Sequence, residues 1–284
     1  MPKQLPRVRF AEAPKGGNEP YSGCVRVELD LEVFGENLDA DLEVPDRPIR
    51  LSELVPGARD IADRIVDLTI RSWFGPGNAP PCRRGCVRCC YYLVPVCVPE
   101  ALRLMEEFAA LPARRRQRLD RSFLAAGSRL LQARPPALPV AAATTDGRPQ
   151  AGLVAAGHWY AGLRLACPIL SGSSCTLYSC RPIACREHMV KAAPRLCEGP
   201  HPEPGRLLRP PISVVEALGR LAAEVEGTDL EAVMLPLLPA WWAGNARRAE
   251  RTWPAGELAG RFVAILQRLA ADGANAAQRE VEAA

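Results

Sequence analysis

Four cysteines stand close together in Cys82-Arg-Arg-Gly-Cys86-Val-Arg-Cys89-Cys90, a C-x3-C-x2-C-C run with Cys97 seven residues beyond it. A second group runs through Cys167, Cys175, Cys180 and Cys185 and trails to Cys197, while Cys24 stands apart. Thiolates two or three residues apart can close on a soft metal ion, because a short loop lets neighbouring sulfurs converge. Cys89 and Cys90 are adjacent, so their side chains should diverge in most backbone conformations. That favours two centres or a polynuclear cluster over one four-coordinate zinc. Thiolate-rich sites suit zinc and iron–sulfur clusters about equally, so residue type leaves both open. Neither run alone gives a compact, fully ligated site, and the two are expected to meet in space.

Composition narrows the setting. A chain of 284 residues can bury a core without disulfide staples, and eleven cysteines cannot all pair internally. The start, Met1-Pro-Lys-Gln-Leu-Pro-Arg, has no apolar run like a signal peptide, and no stretch of eighteen apolar residues occurs. A cytoplasmic protein with reduced thiols and no membrane contact is expected. The net charge is only +4, and lysine occurs just at Lys3, Lys15 and Lys191. The densest basic run, Arg114-Arg115-Arg116 with Arg118 and Arg121, lacks interleaved aromatics and reads as a solvated helix face rather than a nucleic-acid platform. The partner expected is another protein or a small molecule. There is no glycine-rich phosphate loop and no G-x-S-x-G elbow, so the sequence names no catalytic residue.

The elements that must position the thiols are mostly helical. Residues 1–20 are rich in Pro, Gly, Lys and Asn and read as a mobile arm. Val25, Val27, Leu29, Leu31 and Val33 alternate with charged residues, which predicts a half-buried strand. A break at Gly35-Glu-Asn37 lets Leu38 to Val44 return as a hairpin. A helix is expected after Pro56-Gly57, with Ile61, Ile65, Leu68 and Trp73 as its apolar stripe. Helices should also cover Ala101 to Leu111 and the residues after Pro112, followed by a proline-rich linker over 133–151. Ile212, Val215, Leu218, Leu221 and Val225 form a stripe ended by Gly227, after which Thr228 and Glu231 look like a capping box. Leu258, Phe262, Ile265 and Leu269 mark a last helix. The expected architecture is mainly α (α+β): a small N-terminal β-hairpin, an irregular cysteine-rich metal core and a helical C-terminal portion. The expected divisions are 1–20 arm, 21–80 hairpin plus helix, 81–200 metal-binding domain and 201–284 helical region.

C-x3-C-x2-C is also the spacing of radical S-adenosylmethionine enzymes. That family usually has an aromatic residue where Arg88 stands, and the alternating strand–helix pattern of a barrel is missing here. A different resemblance covers 82–97 and 167–197. The Cys-Cys-ended run, Cys167-Pro168-Ile169-Leu170, Cys175-Thr-Leu-Tyr178 and Arg181-Pro182-Ile-Ala-Cys185-Arg186 together resemble the YkgJ-type cysteine-cluster family, described as zinc- or iron-chelating domains. A similar cluster occurs in flagellin lysine methylases. The family often has a further cysteine just after its Cys-Arg pair; here Cys197 is the replacement expected to complete the second cluster, with His188 the second choice.

The ligand set is therefore Cys82, Cys86, Cys89, Cys90, Cys167, Cys175, Cys185 and Cys197. Cys24, Cys97 and Cys180 are expected to pack as free thiols, and His158 and His201 as ordinary polar residues. Tyr178, Arg181 and Arg186 could donate to cluster sulfurs or neutralise thiolate charge. The resemblance implies chelation of iron or zinc, with an iron–sulfur cluster favoured, serving redox or substrate ligation. The alternatives are a structural-zinc interaction module and an iron-dependent peptide- or protein-modifying enzyme.

Overall fold

The alternating run forms the strand expected of it. In the computed structural model, which describes residues 7–10, 23–75, 78, 80–134, 151–191, 197 and 207–282, Leu29, Leu31 and Val33 are buried while Asp30 and Glu32 face solvent. Strands β1 (Arg7–Phe10), β2 (Cys24–Val33) and β3 (Glu36–Pro45) make an antiparallel sheet in the order β1-β3-β2. The expected hairpin thus gains a third strand from within residues 1–20; the rest of that segment lies outside the described residues. Val33 pairs with Glu36, so the connection is the two residues Phe34 and Gly35, both left-handed at φ 54° and 78°. That is the twist a two-residue hairpin loop needs, and it places Glu36 and Asn37 inside β3 rather than in the break.

Helix α1 (Leu51–Phe74) begins five residues before Pro56, which sits inside it. Proline there loses the bond its missing N–H would make and crowds the Ser52 carbonyl, and the start of the helix is secured by another device. Arg50 occupies the N-cap, and Glu53 reaches back to accept from the Arg50 backbone N–H at 2.9 Å and from the Arg47 guanidinium at 2.5 Å. Burial opposes ionisation of Glu53, but the Arg47 and Arg50 hydrogen bonds outweigh it and hold the carboxyl at about 2, below its ordinary 4.5. Because the folded pKa is depressed, this contribution is complete above about pH 4.5 and is lost as pH falls towards about 2. Arg47 is itself 41% exposed, so solvent weakens the pair. Glu53→Gln should cost about 1–2 kcal/mol at pH 7, and urea unfolding should show that cost shrinking steadily as pH falls from about 4.5 towards about 2.

Ile61, Ile65 and Leu68 are buried as the stripe predicts, but Trp73 is 53% exposed, with Lys191 Nζ 3.8 Å above its ring. Five residues beyond Leu68 is about 140° further round a helix, which turns Trp73 off the core-facing side.

The chain then passes through the first cysteine run into β4 (Pro95–Cys97), α2 (Val98–Ala109) and α3 (Ala113–Gln132). Most of the expected linker, 135–150, lies outside the described residues. Its last residue opens α4 (Ala151–Gly162), a helix the sequence reading did not anticipate. Short pieces carry the second run: the β5 (Leu170–Ser171) and β6 (Ser174–Cys175) hairpin, the single-turn helix α5 (Ile183–Glu187), and β7 (Met189–Val190), which pairs with β8 (Leu207–Leu208).

Helix α6 (Val214–Glu226) is capped by Ser213 and ends at Gly227 in the left-handed conformation, as the stripe and its glycine predict. Thr228 and Glu231 do not start a helix. The next element is β9 (Ala232–Met234), antiparallel to β4, and Glu231 accepts from Trp241 Nε1 at 2.5 Å and Arg248 at 2.8 Å instead. Helices α7 (Leu238–Asn245) and α8 (Ala255–Glu282) complete the chain.

The architecture is mainly α with small antiparallel strand pairs, including the N-terminal hairpin. One buried cluster joins Leu31 and Leu42 of the sheet to Ile61 of α1, Leu218 of α6 and Phe262 of α8, so the expected 21–80 and 201–284 regions share a core. A second cluster gathers Leu104, Phe108, Phe123, Ile169 and Leu235, and the thiols of Cys167, Cys175, Cys180 and Cys185 pack against it. Among the described residues no helix is long and apolar enough to cross a membrane.

Candidate metal centre

Tight turns set the first run. Gly85 is left-handed at φ 92°, and the turn closes with the Cys86 N–H on the Arg83 carbonyl at 2.9 Å. A 3₁₀ turn over Arg88–Tyr91 follows and carries Cys89 and Cys90. The compact turn keeps the adjacent thiols close rather than divergent, and their mutual interaction draws the Cys89 pKa down and drives that of Cys90 up.

The second run is delivered to the first by the main chain. Cys167 N–H donates to the Cys90 carbonyl at 2.7 Å. The β5–β6 hairpin turns at Gly172, left-handed at φ 60°, and Thr176 Oγ1 ties back to the Ile169 carbonyl at 2.8 Å, setting Cys175 beside Cys167. Pro182 precedes α5, on which Cys185 rides. The Arg186 guanidinium is buried and donates to Asp63 of α1, to the Ser179 carbonyl at 2.6 Å and to the Arg181 carbonyl at 3.2 Å. Arg181 donates to the Tyr178 carbonyl at 3.2 Å and stacks 4.2 Å above the Tyr178 ring. The hydrogen bonds of these arginines thus go to carbonyls and a carboxylate. Arg181 nonetheless bears on the sulfurs through its charge, favouring the thiolates of Cys89 and Cys175.

Packing separates the thiols, with Cys82 and Cys89 against Cys197 in one cluster and Cys167, Cys175, Cys180 and Cys185 in another, and their effects on one another follow the same division. Cys197 is pushed up to about 12, first by burial and then by Cys89, Cys82 and Cys86, with Arg88 opposing. Cys167 is pushed up to about 12 by burial, then by Cys175 and Cys89. Cys185 is raised well above its ordinary value by burial, then by Cys167 and Cys89. Two neighbourhoods emerge: Cys82, Cys86, Cys89 and Cys197, and Cys90, Cys167, Cys175 and Cys185. Cys89 is felt in both.

Cys197 therefore joins the first run rather than completing the second. The β7–β8 pairing carries the chain back past that run, and the Tyr92 hydroxyl holds the Cys197 carbonyl at 2.8 Å. His188 packs edge-on against the Tyr92 ring, 5.6 Å between centroids. Cys97 is buried in the main core, its Sγ 3.8 Å from Glu100 Oε2, and Cys24 opens β2. Cys180 packs beside Cys175 in the second neighbourhood. His201 lies outside the described residues.

Sequence reasoning missed Glu100. It looks like an ordinary first-turn acid of α2, yet it is fully buried, and Oε1 accepts from the Ile183 N–H at 2.7 Å. Burial raises its carboxyl to about 7, against the pull of that N–H and of Arg59 and Arg186. The contact fastens α2 to the helix that carries Cys185.

The donors suit a soft metal in kind and in grouping, four thiols in the first neighbourhood and, with Cys180, five in the second. They are not drawn together: among the described residues no three Cys, His, Asp or Glu side chains stand close enough to hold one ion. With burial raising most of these thiols, the grouping favours protons over thiolates until a cation supplies the opposite charge. Compared with protein-family models, curated proteins and solved structures, the chain matches none.

Proposed function

We propose that this chain is a metal-binding protein whose central thiols hold iron–sulfur clusters for electron transfer or substrate ligation. Cys82, Cys86, Cys89 and Cys197 would hold one group and Cys90, Cys167, Cys175 and Cys185 the other. The observation that carries the reading is the convergence of two cysteine runs, far apart in sequence, on Cys89 and Cys90, fastened by the Cys167–Cys90 main-chain bond. The motif resemblance to YkgJ-type domains points the same way. A bound cluster would supply one-electron redox chemistry or an open iron site. The chain's own residues hold the thiols half-buried, with Cys197 buried and Arg88 and Arg181 beside them. No disulfide joins any of the eleven cysteines, which fits a reducing compartment, and we place the protein in the cytoplasm.

Structural zinc is the second reading, and one observation favours it. Between α4 and α6 the described chain has only two-residue strands and single helical turns, a segment that a metal crosslink would stabilise strongly.

Anaerobic purification followed by metal, acid-labile sulfide and absorption measurements on one sample decides between them. A brown protein with iron and sulfide supports the cluster. A colourless one with stoichiometric zinc moves the assignment to the structural site. A protein that takes up neither metal overturns both.

A further inference from the structure

A cavity of about 750 Å³ opens beside the first cysteine run, with Cys86 and Cys197 in its wall and Arg88, Tyr91, Tyr92 and Arg164 around them. A smaller one of about 310 Å³ shares Gly85 and Cys86 with it. The larger has the volume of a small-molecule site. Its lining is chemically one-sided: two guanidiniums and two phenols, with no carboxylate among the described residues that form it.

Arg164 is the telling member. It lies just beyond α4, where Leu163 N–H bonds the Tyr160 carbonyl and Arg164 N–H the Ala161 carbonyl. Its φ is 47°, a left-handed conformation that glycine adopts freely and a branched chain does not. The chain nonetheless places an arginine there, and its guanidinium lies over Tyr91, 5.9 Å from the ring centroid. Arg164 remains exposed. A backbone position that works against its side chain, with that side chain at a cavity mouth, points to a use for the side chain. Arg88 stands on the same wall, close enough to favour the Cys197 thiolate. A guanidinium fork matches the two oxygens of a carboxylate or phosphate, and a tyrosine face accepts a planar ring.

We propose that this cavity binds an aromatic oxyanion, its carboxylate or phosphate paired with Arg164 and Arg88 and its ring against Tyr91. The recognising contacts belong to arginines and tyrosines, but Cys86 and Cys197 share the wall, so the titration is made on the metal-free chain as well as on the protein as purified, and metal analysis of each sample keeps the two questions apart.

Calorimetric titration of the full chain with benzoate, phenyl phosphate, inorganic phosphate and neutral benzyl alcohol tests it. One of the two aromatic anions should bind saturably at one per chain, and the stronger identifies the oxyanion. Inorganic phosphate and benzyl alcohol should each bind at least about tenfold more weakly, since each lacks half of the recognition. Arg164→Gly should weaken the anion at least about tenfold while leaving the melting temperature unchanged or higher, because glycine suits the left-handed backbone. Arg134→Gly is the control: Arg134 is also left-handed, at φ 48° after α3, but does not line the cavity, and it should leave affinity unchanged. No saturable binding of either aromatic anion, equal binding of benzyl alcohol, or undiminished affinity in Arg164→Gly would each overturn the proposal.

Discussion

Cys89→Ser combined with Cys175→Ser is expected to strip the protein of bound metal, to below about a tenth of the wild-type content, while Cys24→Ser keeps all of it. Cys89 is the one thiol whose charge is felt by both neighbourhoods, and Cys175 belongs to the second. A serine hydroxyl is a poor ligand for a soft ion, so the double variant removes a donor from each group. Cys24 opens β2, in an element that carries none of the other cysteines. If metal supplies the folding energy of the short elements around the second run, the loss is large, since a structural site is worth about 10–16 kcal/mol. Near-ultraviolet circular dichroism on the same samples should then show the double variant losing tertiary signal along with its metal. Full metal content in the double variant, measured per mole of folded chain, would sink the assignment.

What the sequence made legible was the amphipathic part of the fold. The alternation through Val25–Val33, the stripe through Leu218 and the one through Phe262 each announce an element half in water, and a pattern of that kind needs only local information. Helix α4 has no such pattern. Its residues from Ala151 to Gly162 are almost all small or apolar, with His158 the one strongly polar side chain, so no polar face marks a period. The β4–β9 pair joins three residues to three others far along the chain, and its partner choice is tertiary. It also explains Glu231, whose sequence context reads as a cap and whose actual partners, Trp241 and Arg248, arrive with α7 and the turn after it.

The site divides in the same way. That the thiols form two runs follows from spacing alone. That Cys197 packs with the first run, and that Cys89 and Cys90 stay close to each other, depends on the path set by β7–β8, Tyr92 and the 3₁₀ turn. Glu100 was hidden for a related reason: at the start of a helix an acid is ordinary, and only the approach of Ile183 makes this one a buried acceptor.

Arg186→Ala should destabilise the protein by about 2–4 kcal/mol and loosen the second cysteine run before the first. The side chain is 5% exposed and serves three acceptors at once: Asp63 on α1 and the carbonyls of Ser179 and Arg181. Those carbonyls flank Cys180 in the turn that leads to Cys185, and alanine would leave them without their charged donor. The cost comes mainly from the carbonyls, because Asp63 is 47% exposed and water can replace its partner. Asp63→Asn should therefore cost less than about 1 kcal/mol in urea unfolding. Arg186→Lys should recover less than half of the loss, because one ammonium cannot span the fork that reaches Asp63 and two carbonyls together. Thiol labelling of the metal-free chain supplies a readout beyond stability: Cys175 and Cys185 should react sooner in Arg186→Ala, while Cys82 and Cys86 keep the wild-type rate. Equal acceleration of all four would mean that Arg186 supports the whole fold rather than the loop, and an unchanged stability would mean that the carbonyls find other donors. Either result would detach α1 from the control of the second run, which the Asp63–Arg186–Ser179 chain of contacts otherwise assigns to it.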